Sequence, residues 1–547
     1  MFKCDRVFVN GHFTTMNPNE PVTSALAIYN GRIIATGADA EDTPAREVID
    51  LHGQYVVPGF HDAHMHFSQV GDSLQEIDLH YEAAPSIDAV YEQVREKVRQ
   101  SKPGEWVKGW GFDQNKIGGY PILDVLDTIA PENPLYLGHI SGHMAVTNSL
   151  GLARAGFTDP DSAPNPDGGV IVRDANGHVT GLMQERANQI LRASCLPGSG
   201  EELIESLRLA SEYAASFGIT SFTEPGIGTS HGIGHGPFDL HFYQQAIERG
   251  LLRIRATVMP YITALHDVPE VETDADAYGL DLGLRTGIGD DRLRIGAVKV
   301  MTDGSLIGLT AAVLEPYRNH SHDDLGVFQW NPEELRERLI MLHRYGWQIA
   351  AHAIGDAAVE EALKTFELAQ KLYPRPDVRH RIEHAGITNK DQVARIAKLG
   401  IVPDPQGAFI LETGDGFITA LGEERAAMAY RMKSFIDAGA VIPGSSDGPV
   451  VTINPLVGMQ SMVLRRTAGG IVLNASERVS IDQALRAYTY GSAYASHQEQ
   501  YKGLLAPGYL ADFAVLSEPL LSVSSENIGD IRVLQTYVGG ECIFDRN

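Results

Sequence analysis

Between residues 58 and 447 the chain alternates short apolar strands with amphipathic helices, and this alternation constrains the fold more than any other feature. Eight strand candidates can be counted, ending near His64 and His66, then at 219–224, 254–260, 295–299, 349–352, 378–384, 401–405 and 441–447. Helical patterns lie between most of them, as at 333–345 and 390–399. Buried strands alternating with helices imply a parallel sheet, and eight such units imply a closed (β/α)8, TIM-like barrel in the α/β class. In such barrels the chemistry sits at the C-terminal ends of the strands, so reactive residues are expected there.

The ends of the chain have a different texture. Arg6 to Phe13 carries an Asn-Gly hairpin signal between apolar runs, and Ala25 to Ala35 repeats the device. Residues 511–516 and 531–540 return to short strands, so one small β-sandwich is expected from both termini. The expected division is 1–57 for the first part of the sandwich, 58–495 for the barrel and 496–547 for the rest of the sandwich. Roughly 150 residues separate His66 from the second strand, against about 2–6 for a typical βα loop. Residues 68–215 therefore read as an inserted lid subdomain, which leaves the barrel at the end where the chemistry is expected.

Composition excludes several classes. A formal net charge of -26 over 547 residues argues against nucleic acid and anionic membrane partners. Three cysteines without metal-type spacing, and no leading apolar run, suggest a cytoplasmic protein without disulfides. No G-x-G-x-x-G opens a helix after a strand, and no P-loop is present. The Gly-rich stretch 226–234 lacks that spacing and reads as a loop beside the active site.

The strand ends carry the candidate chemistry. Val56-Val57-Pro58-Gly59-Phe60 runs into His64-Met65-His66 at the strand's end, where residues two apart share one face and both imidazoles can aim at one point. Lys299 lies in the apolar fourth strand, His352 ends the fifth, His384 the sixth and Asp447 the eighth. Four histidines, a lysine and an aspartate at the ends of one barrel suit zinc or a neighbouring divalent metal. Lys299 has two readings: an ammonium paired with Asp303 or Asp447, or a neutral amine that captures carbon dioxide as a carbamate ligand. His380, on the same face of the sixth strand as His384 but four residues earlier and nearer the barrel bottom, reads as structural.

These stretches, with Gly168 to Asp174, Thr180 to Glu185, Thr302-Asp303-Gly304-Ser305, Arg381-Ile382-Glu383-His384 and Lys502 to Asp512, resemble the amidohydrolase superfamily. Within it they are similar to the YtcJ-like and N-substituted formamide deformylase-like branch. The resemblance implies one or two divalent metals per chain, with zinc the expected ion. His64, His66 and Asp447 would hold the more buried metal, His352 and His384 the second, and carboxylated Lys299 would bridge them. It further implies hydrolysis of a C–N bond in a small N-acyl or N-formyl amide, with Asp447 as proton shuttle.

His143, in a segment that resembles a Gly-His-Ala stretch of relatives, is the candidate for the carbonyl, while Trp110, Asp113 and Glu185 are candidates for substrate contact. His61 is a spare imidazole expected to face the core or support the ligands. Arg465-Arg466 has the look of a carboxylate clamp but reads better as solvated or helix-pairing. The alternatives are a mononuclear deaminase of a cyclic amidine and a non-catalytic scaffold of the same fold. A small-molecule substrate is the expected partner, and a homodimer the expected assembly, being the commonest closed oligomer.

Overall fold

The strand–helix alternation builds two parallel four-stranded sheets around a common centre in the computed structural model, which describes residues 3–195, 200–229, 234–268, 278–318 and 324–546. One sheet runs Leu293–Ile295, Arg255–Pro260, Ile219–Ile227, Phe60–Asp62. The other runs Val298–Met301, Ile349–Ala353, Arg381–His384, Val402–Asp404. The fourth strand belongs to both sheets and is broken at Gly296-Ala297. Gly296 N–H still bonds Val258 of the third strand at 2.8 Å, whereas Val298 N–H bonds Gln348, beside the fifth, at 2.9 Å. A Cβ on Gly296 would lie 2.8 Å from Thr257 Cγ2, so the switch needs glycine.

The other seam is closed by residues 441–447. They were expected as an eighth strand, but they form no ladder. Ala63 N–H donates to Gly444 at 2.9 Å and Asp447 N–H to His64 at 2.7 Å, so two backbone bonds tie this segment to the first strand. The result is a TIM-barrel-type α/β fold. Its helices have readable ends. Pro332–Arg344 starts with the Asn331 side chain accepting from two backbone amides, has proline in its first turn and Glu333 and Glu334 beside it, and ends in Arg344. Leu335, Leu339 and Leu342 form its buried stripe.

Both termini contribute to a pair of further sheets. Cys4–Val9, Leu26–Tyr29, Arg32–Thr36 and Ala45–Asp50 make one, while Val533–Val538 and Phe513–Leu516 join Tyr55–Pro58 in the other. Phe8, Phe513 and Tyr537 pack ring to ring between them at centroid distances of 4.6–5.0 Å. Tyr55–Pro58 pairs antiparallel with Phe513–Leu516 and runs directly into the first barrel strand. Residues 77–185 add a six-stranded sheet with its own apolar core around Leu79, Val94, Phe112 and Leu137. Residues 230–233 of the Gly-rich stretch lie outside the described residues. Among the described residues no helix is long and apolar enough to cross a membrane.

A buried bidentate ion pair ties the C-terminal sheet to the barrel. Arg255 Nε and Nη2 donate to Asp512 Oδ2 and Oδ1 at 2.6 and 2.9 Å, and Gly539 N–H adds a 2.8 Å bond to Oδ1. Asp512→Ala removes the bidentate partner of a buried guanidinium, leaving it the 3.5 Å contact with Asp291, and is expected to lower unfolding stability by about 3 kcal/mol, read from the urea midpoint.

Candidate metal centre

The strand ends bring His64, His66, Lys299, His352, His384 and Asp447 into one buried cluster. A ring nitrogen from each of His64 and His384 and an oxygen of Asp447 all lie within 4.8 Å of one another. Asp447 Oδ1 is 3.1 Å from His66 Nε2 and 3.3 Å from His64 Nε2, without the alignment of a hydrogen bond. Lys299 Nζ is 3.4 Å from His64 Nε2. His352 stacks edge-on to His384 with ring centroids 4.5 Å apart.

Hydrogen bonds on the far side of each ring decide which nitrogen faces the centre. His64 Nδ1 bonds the Glu383 carboxylate, and His384 Nδ1 sits 2.7 Å from Gln406 Oε1. Each Nδ1 therefore carries the proton and each Nε2 the lone pair. His352 is turned the other way, with Nε2 3.2 Å from the Gly304 carbonyl, which leaves Nδ1 as its lone-pair nitrogen. Burial holds His66 down at about 4, His384 at about 3 and His352 well below its ordinary value, so these rings are neutral at pH 7. Burial and Lys299 oppose charging of His64, yet Glu383 and Asp447 raise it above its ordinary value; burial opposes ionisation of Asp447, yet His64 and His66 hold it well below its own, so a proton on His64 competes with a metal cation for this space.

Such a set fits a divalent cation. Lone pairs and an ionised carboxylate face one another in a buried space, an arrangement that repels itself unless a proton or a metal cation lies among them. Lys299 is buried, and among the described residues no carboxylate lies within ion-pair distance of it. Burial lowers its ammonium to about 8. Asp303 does not serve it: that carboxylate accepts from the backbone of Ala312, Ile354 and Gly355 at 2.8–3.1 Å.

Above the cluster opens a cleft lined by His66, His143, His352, His384 and Asp447 among others. His143 lies on its wall, its ring 5.2 Å from that of His352. Glu185 Oε2 bonds His143 Nδ1 and receives Gln329 Nε2, both at 2.8 Å. Burial pulls the His143 imidazole down, yet Glu185 more than offsets this and raises it above its ordinary value. Trp110 also lines the cleft, with Nε1 donating to the Pro449 carbonyl at 3.3 Å.

Asp113 does not line the cleft. Its carboxylate caps the short helix Gln114–Ile117 by accepting from Asn115 N–H at 2.9 Å. His61 stays inside the barrel, 3.2 Å from Thr223 Oγ1.

Two other readings are corrected. His380 was placed on the face of His384 by strand parity, but it faces the outer helices, stacked on Phe366 at 4.6 Å and bonded to His343. The parity breaks because His384 has φ +70°, which turns its ring inward beside Glu383. Arg465 is fully buried rather than solvated, donating to the carbonyls of Ala429, Tyr430 and Leu473, while Arg466 pairs with Glu526.

Several residues of the site were not singled out from sequence, chiefly Glu383, Asp404, Gln406 and Glu224. Glu383 and Asp404 share Arg381, whose Nε and Nη2 reach Glu383 at 2.6 and 2.8 Å. Burial works against ionisation of Glu383, but Arg381 and His64 hold it well below the usual carboxylate value. An Arg-x-Glu pair inside an apolar strand was the available signal. Glu224 Oε1 and His66 Nδ1, both buried without hydrogen bonds, face each other at 4.0 Å. Glu383→Gln is expected to weaken divalent-metal affinity about 10- to 100-fold, measured by competition with a chelating dye.

Fold and donor set together define the class, a barrel-type hydrolase of the metal-dependent kind. The chain belongs to the amidohydrolase family, whose family model matches residues 47–544. It is 29% identical over 555 residues to YtcJ of Bacillus subtilis (strain 168), covering 99% of each chain. The N-substituted formamide deformylase of Arthrobacter pascens is 28% identical over 561 residues, covering 99% of this chain and 98% of that one. Among solved structures, an uncharacterized metal-dependent hydrolase from Pyrococcus horikoshii OT3 superposes with a TM-score of 0.74 at 26% identity, covering 95% of this chain and 99% of that one.

Proposed function

We propose that this protein hydrolyses the C–N bond of a small N-acyl or N-formyl amide at a metal centre held by His64, His66, His352, His384, Asp447 and carboxylated Lys299. The observation that carries this reading is the convergence of lone-pair nitrogens on the ionised Asp447, at the base of the cleft and beside a buried lysine without a carboxylate. Kinship with an N-substituted formamide deformylase supports the amide class.

A bound divalent cation, with zinc the expected ion, supplies Lewis acidity toward the carbonyl oxygen and lowers the pKa of water. The chain's own groups do the rest. Asp447 takes a proton from the attacking water and returns it to the leaving nitrogen, first as base and then as acid. His143, oriented by Glu185, donates to the carbonyl oxygen where negative charge develops. Lys299 Nζ, first losing one proton to become the neutral amine, attacks the carbon of carbon dioxide and releases a second proton, so that a cation becomes an anionic carbamate ligand. Residues 68–215 act as a lid, since Trp110, His143, Glu185 and Arg192 all reach the cleft from this insertion.

Asp447→Asn removes the shuttle and is expected to lower kcat by about 10²–10⁴-fold; near-normal turnover with metal content intact would sink the assignment. Stripping metal with a chelator should abolish hydrolysis of N-formyl and N-acyl amides, and added zinc should restore it. Activity that survives complete metal removal would overturn the metal-dependent reading.

A further inference from the structure

The space above Asp447 has two lobes that differ in their polar side chains. The cleft on the His66 side carries Gln69, Asn188, Gln189, Arg192 and Gln329 on one wall, with Trp110, Met301 and Val450 on the rest. Helix Arg186–Cys195 presents Asn188, Gln189 and Arg192 there at i, i+1 and i+4, continuing the face that begins at Glu185. The second lobe is narrow and walled by buried Leu306, Ile307, Ile354, Phe409, Phe417 and Tyr430. The two lobes share Ser141, His143, Asp447 and Val450, so a ligand that spans them crosses the reacting groups.

Arg192 is the one lysine or arginine on the polar wall. Among the described residues it forms no ion pair, and its Nη1 donates to the Gly234 carbonyl at 3.0 Å. Nearby Glu76 is engaged elsewhere, 3.5 Å from Lys108 Nζ. A guanidinium without an acidic partner is notable in a chain of formal net charge -26. Its fork matches a carboxylate in geometry and charge.

Resting on the amide-hydrolase reading, we propose that the substrate is an amide with a carboxylate on one side of the scissile bond, read by Arg192, and an apolar group on the other, seated in the second lobe. Hydrolysis then joins the water oxygen to the acyl carbon, breaks the C–N bond and leaves a carboxylate and an amine, with one product carrying the recognised anion.

The test pairs two carboxylate amides of opposite orientation, N-phenylacetylglycine and N-(2-phenylethyl)succinamate, with their neutral primary-amide twins. On the metal-loaded protein at least one carboxylate is expected to exceed its twin by about tenfold or more in kcat/KM, mainly through KM. Arg192→Gln should bring that ratio near one, and Arg192→Lys should restore part of it. Ile307→Trp, which fills the apolar lobe, should erase the advantage of the phenylacetyl over the acetyl group in the glycine series.

Calorimetric binding of each pair to the Asp447→Asn protein separates this inference from the function it rests on. If no amide is hydrolysed but carboxylate binding still depends on Arg192, the amide-hydrolase reading fails and the anion subsite stands. If neutral twins are turned over and bound as well as the carboxylates, or if the preference survives Arg192→Gln, the inference is overturned.

Discussion

The centre depends on one buried ion pair. Arg381 holds Glu383 in a bidentate grip, reaches Asp404 on the seventh strand and donates to the Ala63 carbonyl at 2.8 Å beside the first. Three strands are thus tied at one guanidinium beneath the ligands. Glu383 in turn fixes the tautomer of His64, so that Nε2 meets Asp447 and Lys299 as a lone pair. Buried charge of this kind is costly unless every partner is satisfied, and here the arginine spends its donors on the residues that orient the site. A neutral replacement could pack the same volume without choosing that tautomer.

Backbone conformation supplies the second constraint. His384, Asp447 and Glu185 have φ of +70°, +64° and +52°, in the left-handed region that L-residues seldom adopt. All three line the cleft. The strain is held by neighbouring bonds: Asp447 N–H to the His64 carbonyl at 2.7 Å and Glu185 N–H to the His143 carbonyl at 2.7 Å. Close packing helps at the fifth strand, where a Cβ on Gly355 would lie 1.8 Å from the Ala312 carbonyl oxygen. That glycine lets the loop carrying Ser305 to Ala312 press against the end of the His352 strand.

Much of the barrel was legible because apolar strands alternate with helices whose caps and stripes are local features. Pro332–Arg344 and Lys390–Lys398 show this, each opened by an asparagine cap. The segment 441–447 was harder, since an extended apolar run reads as a strand whether or not a ladder forms around it. His380 was misplaced for a related reason: alternation of faces holds only while φ stays extended, and it stops at His384. Asp113 stood in a Trp-rich polar stretch that looked like substrate contact, but its carboxylate is consumed by a helix end.

By itself the sequence determined the kind of fold, the donor chemistry and the positions where donors fall, because strand periodicity and residue type are properties of short segments. Only the tertiary structure decided which nitrogen of each imidazole faces the centre, that Glu383 and Gln406 make that choice, and that Arg192 lacks an acidic partner among the described residues. The physical reason is distance along the chain. His64 and Glu383 are 319 positions apart, and His143 and Glu185 are 42 apart. Tautomers, pKa shifts and a two-lobed cavity arise from contacts of that range, which no local pattern encodes.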